Sequence, residues 1–264
     1  MKLDRTSAID YGLSGKVALV TGVSRHIGIG EAIARSLALA GANVFTTYYR
    51  PYDELMPWGN KPTEAEEIIE SLKLLGIKAE GIEANLTDPQ VPKQLLDLVE
   101  QSLGAVDILV NNATHDQPAN IYSLEAELLD THYAVNVRGT TLLCAEFAKR
   151  HDGRPGGRII NLTSGQSLAP MPENLPYAIT KGAIEALTLS LSASLASKKI
   201  TVNAVDPGAT DTGWMSDELR STLEVKAPFG RVGKPEDAAR IVLFLASSQG
   251  QWITGQVIRS RGGQ

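Results

Sequence analysis

The chain has 264 residues and a formal charge of −5, with 43% hydrophobic and 21% charged residues. This composition fits a globular protein with a substantial buried core, and the mildly acidic balance gives no support to binding nucleic acid or a membrane surface. Cys144 is the only cysteine, so an intrachain disulfide is excluded and a cysteine-based metal site is not expected. Residues 1–15 hold no apolar stretch suited to a secretory leader, and no apolar run reaches the roughly 18 residues of a membrane span, so a cytoplasmic location is expected.

A short apolar strand is predicted at residues 16–21, followed by Thr21-Gly22-x5-Gly28-x-Gly30 and a helix at 31–40 with Ile33 and Leu37 facing inward. A strand, a glycine-rich turn and a helix make a site for a diphosphate, because unpaired N–H groups and the helix dipole favour anions there. Arg25, in the turn, can grip a phosphate bidentately, whereas His26 reads as a solvated loop residue. The second strand spans 42–48 and ends on Tyr48, Tyr49 and Arg50, with no acid before Asp53. Residues 50–63 read as a long loop bearing prolines and aromatics, either a flap over a bound nucleotide or a packed surface loop.

A helix is expected from Glu64 to a stop at Gly76, then a strand at 78–84, and then Asn85-Leu86-Thr87-Asp88-Pro89 opening another helix. A fourth strand at 107–111 leads into Asn111-Asn112-Ala113-Thr114, with His115 and Asp116 in a loop beyond. Helices fill 125–150 with an interruption near Asn136, whose amide suits a kink and a bound water. A strand at 158–163 ends before Ser164. Lys149, Arg150, His151, Arg154, Arg158, Lys198 and Lys199 read as a basic cluster that an acidic carrier protein would recognise, or as a solvated one. A sixth strand at 199–205 precedes Pro207, Gly208, Thr210 and Thr212. Residues 207–230 read as a mobile lid with Trp214, Met215 and Phe229 as apolar lining, and the chain ends in a helix from Pro235 and a strand at 253–258.

Tyr177 and Lys181 stand one helical turn apart, so a phenol and an ammonium share one face. Using tyrosine as a proton donor near neutrality means lowering its pKa by roughly three units, or ~4 kcal/mol. A positive charge about 4 Å away is worth ~4 kcal/mol at an effective dielectric of ~20, enough for most of that shift.

Asn136, Ser164, Tyr177 and Lys181, in this order and context, resemble the catalytic tetrad of the short-chain dehydrogenase/reductase family, and the likeness runs from Lys16 to Gly263. It implies a single α/β domain, a doubly wound parallel sheet in the order 3-2-1-4-5-6-7 with helices on both faces. It also implies hydride transfer between a nicotinamide cofactor and a carbonyl carbon, with Tyr177 as proton donor and Ser164 aligning the oxygen. Lys181 would lower the tyrosine pKa and hold ribose, and Asn136 would anchor a water. The cofactor residues carried over are Gly22, Ser24, Arg25, Gly28, Ile29, Gly30, Tyr49, Arg50, Asn85, Leu86, Asn112, Ala113, Tyr177, Lys181, Pro207, Gly208, Thr210 and Thr212. The positive charge after the second strand favours NADP(H) over NAD(H). The helix of Tyr177 would meet a partner subunit, giving a homodimer or homotetramer.

Four departures from the family pattern stand out: two extra residues in the glycine turn, Asn85 for an aspartate, Thr114 for a glycine and Arg261 for an aspartate. Among substrates the pattern comes nearest to reductases of 3-oxoacyl thioesters, carrier-protein- or CoA-bound, as used in fatty acid biosynthesis. Alternatives are an enzyme for sugars, alcohols or small xenobiotic carbonyls, and a non-catalytic nucleotide-binding redox sensor.

Overall fold

The structure is a computed structural model that describes residues 10–263; most of the segment read for a leader lies outside them. Seven parallel strands form one sheet in the order β3-β2-β1-β4-β5-β6-β7, the order expected. They are β1 Val17–Val20, β2 Asn43–Tyr48, β3 Ala79–Glu83, β4 Ile108–Asn111, β5 Gly157–Leu162, β6 Ile200–Asp206 and β7 Val257–Arg259. Every residue of β1, β4, β5 and β6 is buried, as expected of parallel strands covered on both faces.

Alternate residues serve opposite faces. Val20, Val44, Ile108 and Val110 meet α1 (Ile29–Leu39), whose Ile33 and Leu37 are buried beside Val242 and Leu245 of the last long helix, Pro235–Ala246. Leu19, Phe45, Leu109, Ile159 and Val202 pack on the other face against Leu95, Leu96, Leu143 and Phe147. Burying each such side chain contributes about 1.5–3 kcal/mol, which holds the strand ends in a fixed array.

Three expectations are revised. Residues 50–63 are not all loop: α2 covers Arg50–Leu55, with Pro51 in its first turn where a missing N–H costs nothing, and α3 (Glu64–Lys73) follows the segment. The interruption near Asn136 is a π-helix, Tyr133–Gly139, set between α5 (Ala126–His132) and α6 (Thr140–Arg150). The basic cluster is not a free cationic face. Arg150 pairs with Asp97, Glu100 and Glu146, Arg154 pairs with Asp107 and Asp152, Lys149 pairs with Glu146, and Arg158 is buried. Carboxylates of α4 (Val91–Ser102) and α6, with Asp107 just before β4 and Asp152 just after α6, balance Arg150, Arg154 and Lys149. Among the described residues no helix is long and apolar enough to cross a membrane, and no group of His, Cys, Asp or Glu is placed to hold a metal.

Candidate active site

The carboxyl ends of β1, β4, β5 and β6 open on one edge of the sheet, where an open α/β sheet binds ligands. The turn after β1 is held there by backbone contact. Thr21 Oγ1 accepts from the N–H groups of Asn112 (3.1 Å) and Ala113 (3.0 Å), and the Asn112 amide donates to Thr21 O and Gly22 O, both at 2.9 Å. Gly22 has φ +74°, and a Cβ on it would stand 2.7 Å from Ala113 Cα; one on Gly30 would stand 2.3 Å from Gly22 O. Only glycine fits either position. Helix α1 starts from Gly28 without a side-chain cap, so its first N–H groups face the turn unfilled by protein side chains. This cradle suits a diphosphate.

Asn136 is almost fully buried in the π-helix, and protein groups occupy all four of its hydrogen-bonding positions. Its Oδ1 accepts from the N–H of His115 (2.7 Å) and from Thr114 Oγ1 (3.2 Å), and its Nδ2 donates to His115 O (2.9 Å) and Thr180 Oγ1 (3.0 Å). The amide therefore clamps the loop after β4 to helix α7 (Leu175–Leu195), and it has no position left for the expected water. Thr114, the residue in place of glycine, joins this clamp.

Tyr177 and Lys181 lie in α7, with the Lys181 Nζ 5.3 Å from the centre of the Tyr177 ring and donating to Leu162 O at 2.9 Å. Ser164, just beyond β5, faces the phenol. The expected lowering of the tyrosine pKa is reversed. Burial raises it, the Asp116 carboxylate adds to the rise, and the Ser164 hydroxyl opposes both. Burial also lowers the Lys181 ammonium to about 8, against the pull of Asp116. An ammonium set over the ring rather than hydrogen-bonded to the hydroxyl gives too little charge at the phenol.

Two other nominated side chains are engaged elsewhere. Arg50 is bound to Glu66, to Glu83 (2.9 Å) and to Pro62 O (3.0 Å), with its guanidinium 4.6 Å over the Tyr48 ring. Its charge is thus already balanced by two carboxylates. Asn85 Oδ1 accepts from Thr87 N–H (3.0 Å) and Oγ1 (2.8 Å), so its carbonyl oxygen is already engaged within its own turn. Leu86 lies beneath Gly139, where an added Cβ would stand 3.1 Å from it.

Arg25 sits at the crossing of three segments. It donates to Thr212 O at 2.7 Å, lies 3.9 Å from Asp53 and stacks 4.0 Å over Trp58. Residues 50–63 thereby form an arm laid against the glycine turn. Beyond Thr212, Met215 is buried, Ser216 caps α8 (Asp217–Lys226), and Phe229 is exposed. Arg261 pairs with buried Asp206 at 3.0 Å, and its Nη1 fills the space where a Gly165 Cβ would stand. Asp206 in turn accepts from Gly208 N–H at 2.9 Å, so Arg261 ties the turns carrying Ser164 and Pro207 together.

Comparison with known proteins settles the family. A family model described as Enoyl-(Acyl carrier protein) reductase matches residues 22–264, and the seven-stranded order and the clustered Asn, Ser, Tyr and Lys are those expected of a wider group. The chain belongs to the short-chain dehydrogenase/reductase family. It is thus a nicotinamide-dependent oxidoreductase. It is 46% identical over 250 residues to the uncharacterized oxidoreductase YjdA of Bacillus subtilis (strain 168), covering 94% of this chain and 96% of that one. It is 35% identical to 3-oxoacyl-[acyl-carrier-protein] reductase FabG of Aquifex aeolicus, covering 97% and 99%. Its fold superposes on a short-chain dehydrogenase from Burkholderia cenocepacia in complex with NADP, with a TM-score of 0.85 and 32% identity over 95% and 98% of the two chains.

Reading the sequence alone gave Asp53, Trp58 and Asn174 no role. Asn174 carries a usable signal, since an asparagine directly before Leu175-Pro176 is a helix N-cap pattern. Asp53 and Trp58 carry none, because their partner Arg25 is distant in sequence.

Proposed function

We propose that this protein is an NADPH-dependent carbonyl reductase whose first substrate class is the 3-oxoacyl thioester. The observation that carries the reading is the convergence of Asn136, Ser164, Tyr177 and Lys181 on the same sheet edge as the Gly22–Gly30 cradle. A bound nicotinamide supplies hydride to the carbonyl carbon. Tyr177 holds the proton for the nascent alkoxide, and its raised pKa keeps that proton in place until charge develops on the substrate oxygen. Ser164 donates to the same oxygen. Lys181 and Tyr177 hold the ribose hydroxyls, and Asn136 fixes the loop that borders them.

The backbone of Gly22, Ser24, Gly28, Ile29 and Gly30 would take the diphosphate. Asn85 and Leu86 would take adenine, with Asn112, Ala113, Pro207, Gly208, Thr210 and Thr212 on the nicotinamide side. Arg25 is the stronger candidate for the 2′-phosphate, ahead of Tyr49 and of Arg50 with its two carboxylates. The NADP complex of the Burkholderia relative supports this cofactor, and the Aquifex relative supports the thioester. Residues 207–230 serve as the lid, and exposed Ile179 and Leu189 on α7 suit a subunit contact.

The test is the oxidation rate of NADPH and NADH side by side with acetoacetyl thioester and with a panel of aldehydes, ketones and sugars. Turnover of the thioester with NADPH is expected. Turnover confined to the panel moves the substrate assignment, and preference for NADH overturns the cofactor assignment. Binding of NADPH without turnover of any carbonyl would leave only a nucleotide-binding sensor.

A further inference from the structure

Asp116 stands in the loop after β4, one residue beyond the backbone that Asn136 clamps on both sides. Its Oδ1 accepts from Asn174 Nδ2 at 2.7 Å, and Asn174 is the residue from which α7 starts. Its own N–H donates to the phenol oxygen of Tyr52 at 3.2 Å, and Tyr52 belongs to α2 in the arm. Tyr52 also lies 5.2 Å from the His115 ring, which meets His132 edge-on at 4.7 Å. The arm, the loop and the head of the helix bearing Tyr177 and Lys181 are thus joined through one residue. Among the described residues Asp116 makes no salt bridge.

We propose that Asp116 is a positioning residue for the Tyr177–Lys181 pair, fixed by Tyr52 of the arm and Asn174 at the head of α7. This rests on the reading of Tyr177 and Lys181 as the catalytic pair. The other side chains near α7 do not join these three segments. On α7, Glu185 turns to Thr163 and Ser167, and the end of β5 offers the Leu162 carbonyl and Ser164. At the end of β6, Asp206 is paired with Arg261. Burial keeps Tyr52 protonated, with a pKa raised to about 12, and keeps His115, at about 4, and His132 uncharged near neutrality. Asp116 raises both Lys181 and Tyr177, so removing its charge moves both in the same direction, downward.

The experiment follows lysine side chains labelled with 13C at Cε by NMR in the full chain, the Lys181 signal being the one absent from Lys181→Met. In the unaltered protein a midpoint near 8 is expected. Asp116→Asn, which keeps the acceptor for Asn174, should lower it by about one pH unit, the order expected when one unit charge is removed inside a protein. Asp116→Glu should restore it. Tyr52→Phe, which keeps the carboxylate but unfastens the loop from the arm, should lower it by less. Unmoved midpoints in Asp116→Asn and Tyr52→Phe overturn the proposal. The titration needs no substrate, so failure to reduce any carbonyl would count against the proposed function and leave this readout intact.

Discussion

The glycine turn and the arm lie against one another through Arg25 and are built on opposite principles. The turn is fixed by backbone atoms at close range: Gly22 and Gly30 lie too near Ala113 and each other for any side chain, and Thr21 and Asn112 cross-link them. The arm is fixed by charges and rings, with Asp53 and Trp58 on Arg25, and Glu66 and Glu83 on Arg50. Backbone packing admits one arrangement, whereas ion pairs can exchange partners at small cost. The rigid half thus suits the invariant diphosphate and the reacting centre. The exchangeable half can re-form its contacts with other charged groups.

The largest effect should come at the reacting centre on the rigid side. Tyr177→Phe should cut turnover by about 10²–10⁴-fold, the size of a general-acid contribution, while the NADPH dissociation constant from fluorescence titration stays close to that of the unaltered protein. Retained turnover would remove Tyr177 from the mechanism.

Gly30→Ala tests the cradle itself. A methyl group 2.3 Å from Gly22 O and 2.8 Å from Asn112 Nδ2 has no room, so a loss of about 1–3 kcal/mol in stability is expected together with weakened NADPH binding. Chemical denaturation and the same titration read both, and an unchanged pair would show that the turn adapts as the arm does.

A smaller, pH-dependent effect follows from Lys181. Its pKa falls to about 8 from an ordinary value of 10.5, so between these values the unfolded chain holds a proton that the folded chain has released. Stability from this group therefore rises with pH across that window, and below it the buried charge is a standing penalty. Lys181→Met removes the penalty. Its melting temperature relative to the unaltered protein should be most favourable near pH 7 and decline as pH rises toward 10. A difference independent of pH would refute the depressed pKa.

The smallest change is expected in the arm. Arg50→Ala removes partly exposed ion pairs worth about 0–1 kcal/mol, so the melting temperature should hardly move, and NADPH affinity should fall by less than about tenfold. A larger loss of affinity would mean that Arg50 leaves Glu66 and Glu83 for the 2′-phosphate.

The sheet could be read from the chain because buried parallel strands appear as short unbroken apolar runs, as at residues 16–21 and 107–111, and because a tyrosine and lysine one turn apart are neighbours wherever the helix lies. Even α2 left a trace, Pro51 with Asp53 two residues on, which is first-turn composition. What could not be read was the partner of each charge. Nothing local to Arg50 announces Glu83, and nothing near Arg261 announces Asp206. The sign of the Tyr177 shift was equally hidden, since it depends on how deeply both groups are buried and on Asp116, far away in sequence.

The π-helix at Tyr133–Gly139 also sets the phase of everything after it. A wide turn holds one residue more than an α-turn, and each residue of an α-helix rotates the chain by about 100°. Ahead of and behind that extra residue, α5 and α6 can follow one axis while Asn136 looks toward α7 and Leu143 and Phe147 look into the core. Deleting a single residue from this turn would restore an ordinary helix and swing one set of side chains a quarter-turn away from its partners. The length of this segment is therefore under tighter constraint than the identity of most residues in it.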